Sequence, residues 1–436
     1  MMALYHLGID DTDSLKQGCT TYIGALLVER LIKTSKFIDY PNLIRLNPNI
    51  PWKSRGNAAI CLRFMSDEDI TEILSDAANL VEENRDKKDS KNQPGIAILG
   101  GQVPQIVKDL GRRALWDVVT PTEALDVALK ANVKYELIRG GRGLVGALAS
   151  IGNTLESDHT FELIAYRGRA LWGKKREVDH ESVLIFDRNT GSHTFNNIDV
   201  EEDRVLITPH GPDPILFGVR GDSPSVVMEA LTKIKFIGGE RWMVCRSNQG
   251  TGAHLIRSAL IVELKPYQAA IIEGIISRSP YVLKGSHVIA SMKDSSGEID
   301  IAGYEPSGSF RNIVRNLLPG DKVRAFGGIR LLEGGKLTFN LERLELLGLI
   351  TEKPANPICP NCKKSMKSEG KGKGYQCKKC GLKTELAVIK KINRKLMNGA
   401  YLPPPRAMRH LTKPFNRYGV EKQSWDGIVG TFYGVF

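Results

Sequence analysis

Apolar and polar positions divide the 436-residue chain into segments of different period. Residues 3–9 form a short apolar run that predicts a strand, and it passes directly into Asp10, Asp11 and Asp13. From about Thr20 to Lys33, the residues Ile23, Leu26, Leu27, Leu31 and Ile32 recur near the 3.6-residue period. They predict an amphipathic helix with Thr20 or Thr21 as its N-cap. Strands are predicted at Ala58–Phe64 and 94–99, and helices over Asp67–Asn84, Pro104–Trp116 and Pro121–Asn132. Residues 82–93 read as a charged, exposed run. From Phe161 to about Leu260 strands and helices alternate: strands at Phe161–Tyr166, Ser182–Phe186, Val205–Thr208, Ile215–Val219 and Trp242–Cys245, and a helix over Ser223–Lys235. That mixture predicts a ferredoxin-like α+β unit.

Four β signals follow, at Tyr281–Met292, Glu298–Tyr304, Lys322–Ile329 and Lys336–Leu346, with a helix around Phe310–Leu318. They match an OB-fold barrel, with another small barrel as the alternative. A helix is predicted near Leu386–Leu396, and Pro403–Pro414 reads as an extended basic segment that orders on a partner.

Length and charge refine this picture. A chain this long exceeds one hydrophobic core and predicts three or four domains. It lacks both a run of about 18 apolar residues and a basic leader followed by an apolar stretch, so a cytoplasmic protein is expected. The formal charge is +12, unevenly spread. Residues 351–436 carry 18 Lys and Arg against 5 Asp and Glu, whereas residues 1–350 carry 43 against 44. A neutral body with a basic end predicts that a polyanion is gripped at that end.

The chemistry lies in four motifs. Three carboxylates in one loop would repel one another unless a cation sits among them, and a helix start beside them favours phosphate; an acidic loop that only caps the helix is the alternative. Lys53 and Arg55, in the proline-broken stretch 45–57, and Arg139 and Arg142, in a glycine-rich lead-in to a helix, are candidate anion contacts. The glycine spacing at 140–146 fits neither a Walker A nor a dinucleotide fingerprint. Cys359, Cys362, Cys377 and Cys380 form C-x2-C-x14-C-x2-C, which predicts a closed structural Zn²⁺ site. Lys363, Lys364, Lys367, Lys371, Lys373, Lys378 and Lys379 surround it as candidate backbone contacts. His254 reads as a structural histidine.

Several of these stretches, in order along the chain, resemble one family. They are Gly8–Ser14 with Gly18–Tyr22, Ile44–Pro48 with Arg55-Gly56-Asn57, Arg142–Ala147, and the cysteine ribbon followed by Pro404-Pro405 and Arg409-His410-Leu411. The chain is similar here to the TiaS family, the archaeal tRNA 2-agmatinylcytidine synthetases. The resemblance implies ATP-dependent attachment of agmatine to carbon two of the wobble cytidine of the CAU-anticodon isoleucine tRNA, through a phosphorylated cytidine. It implies an α+β multidomain chain: a kinase-like α/β domain at 1–138, a ferredoxin-like domain at 139–260, an OB-fold at 275–350, a four-cysteine zinc ribbon at 355–384, and a basic helix and tail at 385–436.

By resemblance Asp10, Asp11, Asp13 and Thr20 are catalytic, with Asp10 and Asp11 on Mg²⁺ and Thr20 matching a threonine that becomes phosphorylated. Thr21, Lys53, Arg55, Gly56, Arg142 and Gly143 would contact ATP or phosphate. Lys363, Lys364, Lys378, Lys379, Arg406 and Arg409 would contact tRNA. The cofactors implied are ATP, Mg²⁺ and structural Zn²⁺, and no obligate protein partner is evident. A non-catalytic OB-fold and zinc-ribbon nucleic-acid binder is the competing reading, but it leaves the acidic loop without a task.

Overall fold

The computed structural model describes residues 2–14, 18–370, 372–424 and 426–436. Lys371 therefore lies outside the described residues. The first unit runs β1 (Ala3–Asp10), α1 (Thr20–Leu31), β2 (Lys36–Phe37), β3 (Asn42–Arg45), β4 (Ala58–Ser66), α2 (Ile70–Asn84), β5 (Gly95–Gly100), α3 (Gln105–Arg113), α4 (Pro121–Lys130), β6 (Lys134–Leu137) and α5 (Arg142–Gly152). β1 is central, antiparallel to both β4 and β5. Its side chains alternate between faces. Leu7 and Ile9 join the core with α1 and α2, while Gly8 and Asp10 turn to α5. A second core lies beneath α3, α4 and α5.

The second unit comprises β7 (Thr160–Arg167), α6 (His180–Thr190), β8 (Thr194–Phe195), the hairpin β9 (Ile198–Asp199) and β10 (Arg204–Val205), β11 (Ile215–Gly221), α7 (Pro224–Met228), α8 (Ala230–Lys233) and β12 (Gly239–Ser247). Its main strands lie in the order β12-β7-β11-β8, all neighbours antiparallel, as a β-α-β-β-α-β unit. Parallel pairing of β12 with β3 fuses the two units into one sheet. The expected border at 138/139 passes just ahead of α5, whose apolar face packs on the first unit's sheet.

Ser182–Phe186 is helical, not the expected strand. Asp179 caps it by accepting the Ser182 N–H at 2.8 Å, and Val183 and Phe186 reach the core one turn apart. A short apolar run does not distinguish a buried helical face from a strand.

β13 (Ala269–Val282), β14 (Val288–Lys293), β15 (Glu298–Gly303), α9 (Ser309–Arg315), β16 (Lys322–Leu331) and β17 (Leu337–Gly348) follow. Pairing of β13 with β14 and β16, and of β17 with β15 and β16, closes a five-stranded barrel. The expected strand Tyr281–Met292 is the end of β13, a turn, and β14; the barrel begins at Ala269.

Beyond the barrel, β18 (Glu352–Ala355) pairs with β22 (Val388–Lys391) as a two-stranded stalk. Between them stand β19 (Lys367–Ser368), β20 (Tyr375–Gln376) and β21 (Lys383–Thr384). The expected helix at 386–396 is this stalk strand followed by irregular chain; Val388 and Ile389 are β-branched and suit the strand.

The C-terminal segment folds back along the chain instead of awaiting a partner. β23 (Gly399–Tyr401) extends the barrel sheet and β24 (Tyr433–Val435) pairs with β12. Arg417 is buried between Asp158 and Asp222. Phe432 packs on Phe37 and Tyr40. No described helix is long and apolar enough to cross a membrane.

Candidate active site

The acidic loop begins where β1 ends. Asp11 sits at φ +58°, a left-handed turn that aspartate tolerates, and it breaks the strand. Cys19 occupies the N-cap of α1, not Thr20 or Thr21. Asp13 supplies the cap from across the loop: its Oδ1 accepts the Thr20 N–H at 2.7 Å and the Thr20 hydroxyl at 3.2 Å. The Thr12 and Thr20 hydroxyls lie 3.0 Å apart. Arg55 braces the loop's two ends, donating to the Ser14 carbonyl at 2.7 and 3.2 Å and to the Gly18 carbonyl at 3.1 Å. Segment 82–93 is not the exposed run expected. Asp86 and Asn92 are buried, Asp86 accepts the Ser14 hydroxyl at 2.9 Å, and the Gln93 N–H donates to Asp11 at 3.1 Å.

The three aspartates have separate surroundings. Asp13 faces Thr20. Asp11 faces Arg142, whose Nε and Nη2 approach it at 2.8 and 2.7 Å. Asp10 lies against the α5 backbone, where a Cβ on Gly146 would stand 1.8 Å from its Oδ2. Burial, then the charge of Asp11, holds the Asp10 carboxyl well above the usual carboxylate range. Burial also raises Asp11, opposed by Arg142. The three carboxylates do not gather into one metal-sized group; among the described residues only the four ribbon cysteines do. A single carboxylate of this kind could serve a hard cation only with phosphate oxygens as further ligands, since Mg²⁺ is held by one or two carboxylates plus substrate phosphates.

These residues line a cavity of about 390 Å³, with Asp10, Asp11, Asp13, Thr20, Lys53, Arg55 and Arg142 on its polar side. That is within the range of small-molecule sites. Leu46, Ile50, Trp52, Val118 and Val119 make an apolar side. Lys53 donates to the Ile50 carbonyl at 3.1 Å, and burial together with Arg409 lowers its pKa.

Three expected phosphate contacts lie outside this lining. Gly143 is pressed on β5, where a Cβ would lie 2.2 Å from the Gly95 nitrogen, and its N–H is spent on the Gln93 carbonyl at 3.0 Å. Its glycine serves close helix-to-sheet packing, not a phosphate cradle. Gly56 packs against Arg45 and His410. The Thr21 hydroxyl meets Cys19 Sγ at 3.2 Å.

Sequence reasoning missed Trp52, Gln93, the wall at 117–121 and the seat at Gly146. A glycine inside an otherwise good helical pattern was the one available signal, since it marks a close approach. His254 is structural: it is fully buried, with Nε2 2.8 Å from Glu342, which also accepts the Thr412 hydroxyl at 3.3 Å.

At the ribbon, one Sγ from each of Cys359, Cys362, Cys377 and Cys380 lies within 4.8 Å of the others. A tetrahedral Zn²⁺ with Zn–S of about 2.3 Å spaces its sulfurs about 3.8 Å apart, so the set fits. Backbone N–H groups of Cys380 and Lys379 pull the Cys377 thiol down to about 6, while the contact with Cys380 pushes the Cys362 thiol up to about 12. Lys363, Lys364, Lys378 and Lys379 are exposed around it, with Lys378 2.7 Å from Glu369. Arg409 is exposed as well. Arg406 is not available to a partner, being held by Asp199 at 2.8 Å, Glu201 at 2.9 Å and Glu202 at 3.1 Å.

Curated relatives match nearly the whole chain. The tRNA 2-agmatinylcytidine synthetase TiaS of Thermococcus sibiricus is 40% identical over 418 residues, covering 95% of this chain and 96% of its own. That of Pyrococcus horikoshii is 40% identical over 434 residues, covering 98% and 99%. The chain belongs to the TiaS family. Three TiaS domain descriptions match it: the TCKD domain at 6–67, the FLD domain at 141–254 and the C-terminal zinc ribbon domain at 356–396. A crystal structure of TiaS in complex with an isoleucine tRNA and ATP is similar at TM-score 0.84 and 35% identity, over 96% of this chain and 98% of that one. A complex of TiaS with the same tRNA, AMPCPP and agmatine gives TM-score 0.83 and 34% identity over the same shares. The TCKD match contains the acidic loop, Thr20 and Arg55, and the ribbon match contains all four cysteines.

Proposed function

We propose that this chain is a cytoplasmic ATP-dependent tRNA-modifying ligase. It joins agmatine to carbon two of the wobble cytidine of the CAU-anticodon isoleucine tRNA, giving 2-agmatinylcytidine. The observation that carries this is the end-to-end match to TiaS, both in sequence and in fold, to structures holding an isoleucine tRNA, an ATP analogue and agmatine. On this reading the first unit is kinase-like, the second ferredoxin-like, and the barrel an OB-fold. The zinc ribbon, with Lys363, Lys364, Lys378 and Lys379, and the tail residue Arg409 grip the tRNA.

The chemistry needs activation because the cytosine carbonyl oxygen is a poor leaving group. A phosphoryl group leaves ATP as its P–O bond breaks, and a new P–O bond forms to that oxygen. The agmatine amine then attacks carbon two, the C–O bond breaks, and phosphate departs with the former carbonyl oxygen while the amine gives up its proton. The protein's part is positioning and charge neutralisation. Asp10, facing the cavity, would hold Mg²⁺ against the phosphates; bound there, Mg²⁺ neutralises the charge they carry. Arg142 keeps Asp11 in place, Arg55 braces Ser14 and Gly18, and Asp13 holds Thr20 in the cavity lining. Lys53 adds a cation on the wall that leads toward Arg409.

The test is incorporation of labelled agmatine into a transcript of the cognate tRNA by the purified protein with ATP and Mg²⁺. Incorporation at the wobble cytidine, abolished without ATP, is expected. A folded, tRNA-binding preparation that incorporates none would overturn the reading.

A further inference from the structure

A second cavity lies outside the acidic site. It is a cleft of about 570 Å³ on the second unit, between the segments 173–180 and 205–212. Lys174, Lys175, His180, Thr208 and His210 line it. Neither lysine belongs to the acidic site or the ribbon, and both are exposed.

The cleft is built, not incidental. Arg167, on β7 and almost fully buried, ties its two walls together. It donates to the Lys174 carbonyl at 2.7 Å on one wall and to the Asp213 carbonyl at 3.1 and 2.9 Å on the other. The Gly173 N–H meets the Pro212 carbonyl at 3.1 Å. Arg176, also on the lining, is anchored to the Ile215 carbonyl at 2.7 Å and to Asp213 Oδ1 at 3.0 Å, whereas Lys174 and Lys175 are exposed. Of the nearby carboxylates, Asp179 caps α6 and Asp213 is shared by Arg176 and, at 3.8 Å, Arg55, while Glu177 and Glu181 are exposed beside the lysines. Arg55 is the residue that braces the loop carrying Thr20. The cleft therefore stands one ion-pair relay from the acidic site.

We propose that this cleft holds the phosphodiester backbone of the substrate tRNA beside the reacting nucleotide. The inference rests on the proposed reading that tRNA is the substrate. The chemistry of the walls selects the ligand class. Pro209 and Pro212 contribute no N–H to their wall, which leaves it fewer backbone donors for one tightly held phosphate. Lysine ammoniums are flexible point charges without the bidentate fork that arginine offers a single phosphate. Such a surface suits a continuous polyanion read without sequence preference. Free pyrophosphate or nucleotide shares the phosphate chemistry and is the competing source.

The test compares full-length protein with Lys174→Ala/Lys175→Ala and Lys174→Arg/Lys175→Arg. Binding of the tRNA transcript is measured across a salt series, and binding of ATP and of pyrophosphate at one salt concentration. Two lost phosphate contacts predict that the slope of log affinity against log salt becomes shallower by about 1.5, with tRNA binding roughly tenfold weaker at low salt. The arginine pair should keep the parent's slope, and ATP binding should not move. Parent-like tRNA binding by the alanine pair at every salt concentration overturns the proposal. So does a loss confined to ATP or pyrophosphate. Because the readout is binding, its failure is separate from failure of the agmatine reaction.

Discussion

Two glycine-containing stretches precede helices, residues 11–14 and 18–19 before α1 and residues 138–141 before α5. Their sequences suggest one task, anion binding at a helix start, but the structure gives them different tasks. At α1 the first N–H is satisfied by Asp13, and the Thr20 hydroxyl is brought to the cavity. At α5 the Gly143 N–H is consumed by Gln93, Arg142 is paired with Asp11, and the glycines let the helix lie on strand backbones. A helix start serves an anion only when its first-turn donors are uncommitted. The second loop instead serves the first: Gly146 seats Asp10 and Arg142 balances Asp11.

Substitutions can break this contrast, and the largest effect belongs to Gly146→Ala. Its methyl cannot coexist with the Asp10 carboxylate, so agmatine incorporation should fall about a thousandfold or more, equivalent to about 4 kcal/mol. Parent-like turnover would show that Asp10 does not depend on this seat. Gly143→Ala should act on stability, by about 3 kcal/mol from overpacking against β5. Its urea midpoint should drop while the ATP affinity of the folded protein holds; the reverse pattern would restore the phosphate-cradle role.

α5 is also pinned at its far end, where Arg63 Nη2 donates to the carbonyls of Ser150, Ile151 and Asn153 and Arg63 Nη1 donates to His6 Nδ1 at 2.8 Å. Burial and Arg63 lower the His6 pKa from 6.5 to about 4. The unfolded chain therefore takes up the proton first as pH falls. Stability fully present above pH 6.5 should be lost progressively toward pH 4, by roughly 3 kcal/mol at most. Urea midpoints of parent and His6→Gln at pH 7 and pH 4.5 measure it; equal losses in both proteins would show that His6 contributes nothing. The smallest effect is expected at the ribbon, where Lys378→Ala/Lys379→Ala should weaken tRNA binding by about 1 kcal/mol and leave ATP binding alone. Unchanged tRNA affinity would count against the ribbon as a backbone contact.

What could be read from the sequence followed from local constraint. The apolar run of β1, the helical period after Thr20 and the cysteine spacing are each set by a few consecutive residues, and each is found in the fold. The misreadings involve longer-range decisions. Nothing near Arg406 indicates that Asp199, Glu201 and Glu202 will claim it, and nothing in 386–396 shows that Glu352–Ala355 waits as a strand partner. The basic end was legible as a sum but not in its use: Arg406 and Arg417 hold the tail to the body, whereas the described ribbon lysines stay exposed. The cavity's apolar wall was invisible for the same reason, being assembled from separate loops at 46–52 and 117–121.

The central claim is that the Asp10 carboxylate, seated on α5 and facing the cavity, acts in the chemistry, while Asp11 and Asp13 are engaged by Arg142 and Thr20. Single-turnover agmatine incorporation by Asp10→Asn tests it most directly, with melting temperature and tRNA affinity measured on the same preparation. The expected rate is at least a thousandfold below the parent with both controls unchanged. A rate within tenfold of the parent, or a loss matched by a fall in melting temperature or tRNA affinity, would contradict it.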